Sequence, residues 1–157
     1  MRKRTYFDSR RRAGWPRPKE LEHYFLAPRG KEWFSTGGND GARLSAEGLY
    51  GTEHLEPNKG RIDVHLSMWG NSDHGVFLMY EKWGGGIRET YSSKGDLTRL
   101  REWVRSLHDT PLPIGLFIPF KNAWEAVKEF IETDGEFPKS IEWIANKDLP
   151  ANTFPDP

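Results

Sequence analysis

The stretch Ile62-Asp-Val-His-Leu-Ser-Met-Trp-Gly70, Asn71-Ser-Asp-His-Gly75, Val76-Phe-Leu-Met-Tyr80, Glu81-Lys-Trp-Gly-Gly-Gly86 and Ile87-Arg-Glu-Thr-Tyr91 decides the fold. In its first part Ile62, Val64, Leu66 and Met68 alternate with Asp63, His65 and Ser67. That period of two belongs to a strand with one buried face. Residues 71–75 supply turn chemistry. Val76 to Tyr80 is apolar throughout, as in a central strand covered on both faces. Trp83 and the three glycines lead into a second alternating run, 87–91, so the three runs form an antiparallel meander. A phosphate cradle needs a helix or a Lys-Ser/Thr pair directly after its glycines. A β-pattern follows Gly86 instead, so a tight turn is expected there.

Downstream, Asp96 is a good N-cap for a helix with Leu97, Leu100, Val104 and Leu107 on one stripe. Pro111 and Pro113 stop it before a short strand, Ile114 to Ile118. Asn122 and Glu125 resemble a capping box opening the longest helix, which carries Ala123, Val127, Phe130 and Ile131 and ends near Gly135. Ser140 to Ile144 is a last strand, and the tail from Pro150 is irregular. Upstream, Pro18 opens a helix with Leu21, Tyr24 and Phe25 on one face, ended by Pro28-Arg-Gly30. Residues 35–60 are rich in Gly, Asn, Ser and Asp and read as loop with a short strand near Leu49-Tyr50. The architecture expected is α+β: an antiparallel β-sheet of about four to six strands packed against two or three helices. It forms a single domain over residues 18–145, followed by an irregular Pro-rich tail, 146–157.

The chain has 157 residues, enough for one domain with a real core. Its 23 basic and 23 acidic side chains cancel, but unevenly along the chain. Residues 1–19 hold eight basic groups and Asp8, a net +7, and the remainder holds fifteen basic and twenty-two acidic groups, a net −7. Residues 1–17 are therefore expected to be a mobile basic arm, suited to phosphate contacts or to folding back on the acidic body. There is no cysteine, which excludes disulfides, thiolate catalysis and Cys-ligated metals. No apolar run reaches the ~20 residues of a membrane span, and the N-terminus lacks the apolar segment of a secretory signal. A cytoplasmic location is expected.

The five histidines, 23, 54, 65, 74 and 108, include no His-Glu-x-x-His pattern. There is no Gly-x-Ser-x-Gly elbow. The expectation is a protein without catalytic residues, cofactor or metal. Binding has better support. Seven tryptophans exceed what one core needs, and Trp69 and Trp83 fall at strand ends beside turns. Asp63, Asp73, Glu81 and Glu89 lie on neighbouring elements. Trp69, Asp73, Glu81, Trp83 and Glu89 are accordingly expected to form a binding surface for a basic partner, with the aromatics as anchors.

The C-terminal third carries a resemblance. Ile118-Pro119 leads into Ala123-Trp-Glu-Ala-Val-Lys-Glu-Phe-Ile131, then Glu132-Thr-Asp-Gly-Glu-Phe-Pro138 and Ser140-Ile-Glu-Trp143. This resembles the closing signature of the bacterial Immunity protein family 1, the type that includes protectors against double-stranded DNA deaminase toxins. The matching positions are Ala123, Ala126, Phe130, Pro138 and Trp143. The likeness is specific over residues 114–144 and loose over 62–110. It implies a cytosolic antitoxin of a polymorphic toxin system, one that binds a cognate secreted toxin, a nucleic-acid-targeting deaminase or nuclease, and occludes its active site. The alternative is a nucleic-acid-binding accessory protein acting through the basic arm.

Overall fold

In the computed structural model, residues 1–7, 10–26, 33, 41–106 and 109–155 are described. The strands among the described residues are β1 (Arg2–Phe7), β2 (Arg10–Ala13), β3 (Gly41–Glu47), β4 (Asp63–Asn71), β5 (Gly75–Gly84), β6 (Ile87–Ser93), β7 (Trp103–Arg105), β8 (Pro111–Pro113), β9 (Phe117–Ile118) and β10 (Trp143–Ala145). The two α-helices are α1 (Pro18–Leu26) and α2 (Phe120–Glu132). Eight strands form one antiparallel sheet in the order β10-β6-β5-β4-β3-β1-β2, with β9 also pairing β5, and β7 and β8 pair separately. The α+β class stands, with more strands than the four to six expected.

The meander is as read. β4, β5 and β6 pair in register from Asp63 opposite Trp83 to Trp83 opposite Arg88. Val64, Leu66, Met68, Val76, Leu78 and Tyr80 point to one face, where α1 and α2 cover them together with Phe25, Trp124, Val127 and Phe130. A smaller core lies on the other face, where Phe77, Leu100, Leu112, Leu116 and Phe117 pack beneath the 97–118 segment and the C-terminal turns. Gly84 has a φ of +120°, and a Cβ there would stand 1.8 Å from the Arg61 carbonyl oxygen, so the glycine turn is built for close backbone approach. Gly70 is needed for another reason: a Cβ would strike the indole of Trp33, which lies on it.

Several expectations are corrected. Residues 1–7 and 10–17, expected as part of a mobile arm, carry β1 and β2 instead. Phe7 and Thr5 are buried on the helix side, β1 pairs both β3 and β2, and Trp15 donates to the Ser45 carbonyl at 2.9 Å and packs on Phe130. The buried alternation of Thr5 and Phe7 is what fixes this segment, and the surrounding arginines hide it in the sequence. Residues 41–47, expected as loop, are a full strand whose inward residues are Ala42, Leu44 and Ala46. The expected strand near Leu49-Tyr50 is a 3-10 turn.

The expected helix after Asp96 is also a 3-10 turn, Leu97–Arg99, followed by β7. Asp96 does cap it, accepting from the Thr98 N–H at 3.1 Å. The chain then turns away because the Ile114 N–H reaches the Glu102 carbonyl and the Gly95 N–H reaches the Gly115 carbonyl, an alternative backbone pairing to a helical ladder. Leu107 and His108 lie outside the described residues, as do Pro28, Arg29 and Gly30.

Of the 114–118 run only Phe117 and Ile118 are a strand, and α2 starts at Phe120 with Pro119 as N-cap, so Asn122 and Glu125 sit inside the helix. Gly135, with φ +94°, closes α2 by donating its N–H to the Phe130 carbonyl. The C-terminal tail is irregular but packed: Thr153 is buried, and its carbonyl accepts from the Trp103 indole at 3.0 Å.

Candidate functional site

The second face of the sheet is covered only over the part of β5, β6 and β9 beneath the smaller core. Trp69 of β4 also belongs to that core. Side chains alternate along each strand, so cross-strand partners share a face. The register therefore arranges this open face in rows. One row runs Arg2, Glu47, Asp63, Trp83, Arg88. The next runs Arg4, Ser45, His65, Glu81, Thr90. A third, bordering the smaller core, runs Arg11, Tyr6, Arg43, Ser67, Met79.

Trp83 and His65 form its centre, with ring centroids 4.5 Å apart and planes at 84°, and both are half-buried. Desolvation, aided by the positive charge of Arg43, lowers the His65 pKa to about 4, so the imidazole is neutral at pH 7. Beside them Asp63, 4% exposed, accepts from the Arg61 guanidinium at 3.1 Å and from the Gly48 N–H at 3.0 Å. Hydrogen bonding to Asp63 raises the Arg61 pKa further. Glu47 is flanked by Arg2 at 3.4 Å and Arg61 at 3.8 Å. Arg43 donates to the Ser67 hydroxyl at 3.1 Å. The side chains of Arg4, Arg11, Arg88 and Glu81 make no hydrogen bond or ion pair among the described residues.

The five residues expected as one binding surface are dispersed. Trp83 and Glu81 share the open face. Trp69 points the same way, but it is stacked on the fully buried Phe77 at 4.9 Å and belongs to the smaller core. Asp73 is exposed in the β4–β5 turn, where its N–H donates to the Asn71 side chain. Glu89 is paired opposite Lys82 and so lies on the helix side of the sheet. Asp63, the fourth acid of that set, is neutralised by Arg61.

Sequence reasoning missed the basic half of this face: Arg4, Tyr6, Arg11, Arg43 and Arg88. The available signal was the alternation of Arg2, Arg4 and Tyr6 against Lys3, Thr5 and Phe7, which places three of every six side chains on each face of a strand. Among the described residues, no group of three or more His, Asp or Glu converges to hold a metal. No helix among them is long and apolar enough to cross a membrane.

These features define an α+β domain built on one broad antiparallel sheet, with helices over one face and much of the other left open. The chain belongs to the immunity protein Imm1 family, whose sequence model matches residues 32–145. The match takes in β3 to β10 and α2, while β1, β2 and α1 precede it. Membership makes the chain a toxin-immunity protein, an inhibitor that binds a cognate toxin rather than an enzyme. No curated protein and no solved structure matches the chain.

Proposed function

We propose that this chain protects a cytoplasm against one secreted toxin of a polymorphic toxin system used in interbacterial competition, a deaminase or nuclease acting on nucleic acid, and that it does so by covering the toxin's catalytic cleft. Family membership carries the reading, and the open sheet face supports it. Trp83 presents a large half-buried aromatic on a rigid strand, backed by His65, in the manner of an interface anchor ringed by polar groups. Glu81 lies one row away on the same strand. The toxin contact is assigned to these two, whereas Asp73 lies in the turn at the other end of β5, beyond the smaller core. Trp69 supports the face from below through Phe77, and Glu89 stands on the opposite side.

Co-expression with toxin domains encoded beside this chain tests the proposal. Survival of the host and co-purification of the toxin are the expected results. Failure to bind or neutralise any of them overturns it.

A second reading has one observation in its favour. Arg4 and Arg11 are exposed without ion-pair partners beside Tyr6, an arrangement able to contact phosphates and bases. An accessory nucleic-acid protein would show a salt-dependent shift of labelled DNA or RNA that is lost when both arginines are replaced.

A further inference from the structure

We infer that the toxin surface recognised by the open face is acidic, and that Arg4, Arg11 and Arg88 are the residues that read it. The inference rests on the immunity reading and names the chemistry of the partner.

Three observations carry it. First, the face is basic as a whole: Arg2, Arg4, Arg11, Arg43, Arg61 and Arg88 share it with only Glu47, Asp63 and Glu81. Second, the acids are mostly spent internally. Asp63 is held by Arg61, and Glu47 lies between Arg2 and Arg61. What remains for a partner is Arg4, Arg11 and Arg88, which have no ion-pair or hydrogen-bond partner among the described residues, and Arg43, bound only to a hydroxyl, against Glu81. Third, these arginines bracket the aromatic centre. Arg88 sits directly across the strand pair from Trp83, and Arg4 lies two strands from His65 in its row. Arg11 is at the far margin on β2, five strand steps from β6, about 24 Å at the usual ~4.8 Å spacing. That span suits a standard-size interface of about 800 Å² per partner.

An unpaired exposed guanidinium offers five donors in a fork that matches a carboxylate in bidentate geometry. Water-solvated arginines around a neutral imidazole and an indole therefore fit a protein surface that presents carboxylates. They fit an acidic patch beside the cleft that Trp83 and Glu81 cover, not the basic lining of the cleft itself. The helix layer is mixed, with Glu22, Glu125 and Glu132 exposed there beside Lys19 and Lys121. The unpaired arginines and the aromatic anchor thus share the open face.

The test uses the full chain and the toxin domain encoded beside it, with affinity and association rate measured at low and moderate salt. For Arg4→Glu/Arg11→Glu/Arg88→Glu, a loss of at least 100-fold in affinity is expected, with a slower association whose salt dependence reverses. The milder Arg4→Gln/Arg11→Gln/Arg88→Gln should lose an intermediate amount and melt like the parent, which separates recognition from folding. Glu125→Lys/Glu132→Lys on the helix layer should bind as the parent does. If the parent binds and the arginine variants bind equally well, the inference is overturned while the immunity reading survives. Weakened binding by the helix-layer variant alone assigns docking to the helix layer and overturns it too. A parent that binds no neighbouring toxin overturns the immunity reading itself. Labelled nucleic acid shifted by the parent and not by the arginine variants, with toxin affinity unchanged, assigns the face to nucleic acid.

Discussion

The imidazole of His65 meets the indole of Trp83 at 84°, centroid to centroid 4.5 Å, on adjacent strands of the open sheet face. His65 is opposite Glu81, and Trp83 is opposite Asp63, so the two rings are diagonal neighbours that stiffen one another. A tryptophan fixed in this way loses little conformational freedom when a partner covers it.

Trp83→Ala is expected to weaken toxin binding by about 30-fold or more, the ~2 kcal/mol typical of an aromatic anchor. Its folding cost is smaller, about 1–2 kcal/mol for a half-buried ring with one edge contact. Calorimetric titration against the toxin domain and a urea melt separate the two effects. Equal affinity with a lowered melting midpoint would make Trp83 a structural residue.

Protonation of His65 gives the pH prediction. Its folded pKa of about 4 lies below the ordinary imidazole value of 6.5, so between these values the unfolded chain binds more protons. The contribution of His65 is fully present above pH 6.5 and is lost as the pH falls toward 4. Arg43 opposes the charged form, while Asp63 and Glu47 favour it weakly. Replacement by Gln removes the titrating group, so the difference in stability between His65→Gln and the parent should change over that window and be flat above it. Urea midpoints at half-unit pH steps would read it. An identical slope in both proteins would place the acid sensitivity elsewhere.

Asp63→Ala should cost about 3 kcal/mol. It leaves the Arg61 guanidinium, 20% exposed, without its nearest acid and the Gly48 N–H without its side-chain acceptor. Glu47, 3.8 Å from Arg61, offsets part of the loss. The double variant Arg61→Leu/Asp63→Ala is expected to recover stability relative to Asp63→Ala alone, because the orphaned charge is gone. Denaturant melts of the three proteins decide the point.

Phe7→Ala is expected to destabilise the fold by about 3–4 kcal/mol. Phe7 is 8% exposed and packs against Tyr24 at 5.0 Å and Trp33 at 6.1 Å, joining the N-terminal hairpin to the helix layer. A mobile arm would give no change at all. The thermal midpoint measured by circular dichroism distinguishes these outcomes.

The meander was legible because two alternating runs flank a continuously apolar one and each is bounded by turn residues. α1 was legible from Pro18 and the i, i+3, i+4 spacing of Leu21, Tyr24 and Phe25, all of which are buried. β3 was not, since its inward side chains, Ala42 and Ala46 around Leu44, are too small to stand out among Gly and Ser. β1 escaped for a different reason: a strand with one large apolar residue, Phe7, is outvoted by its arginines in any local count.

The 97–107 segment shows the opposite failure. Helical spacing was present at Leu97 and Leu100, but long-range backbone partners at Gly115 and Ile114 prevailed. At the site, Trp83 and Glu81 were legible as residues of one strand face. Their arginine neighbours were not, because Arg4 and Arg11 reach them through pairings between β1, β2 and β3 that no local pattern reveals.

One strand of the N-terminal hairpin has a further consequence, for solubility. β2 ends the sheet, and an end strand presents unpaired N–H and C=O groups that invite another chain to continue the ladder. Here that strand is four residues long and reads Arg-Arg-Arg-Ala, with Arg11 and Arg12 exposed on alternate faces. Any copy aligning its own β2 alongside would bring like charges together above and below the sheet. Gatekeeping of this kind opposes growth of the long sheet from that end.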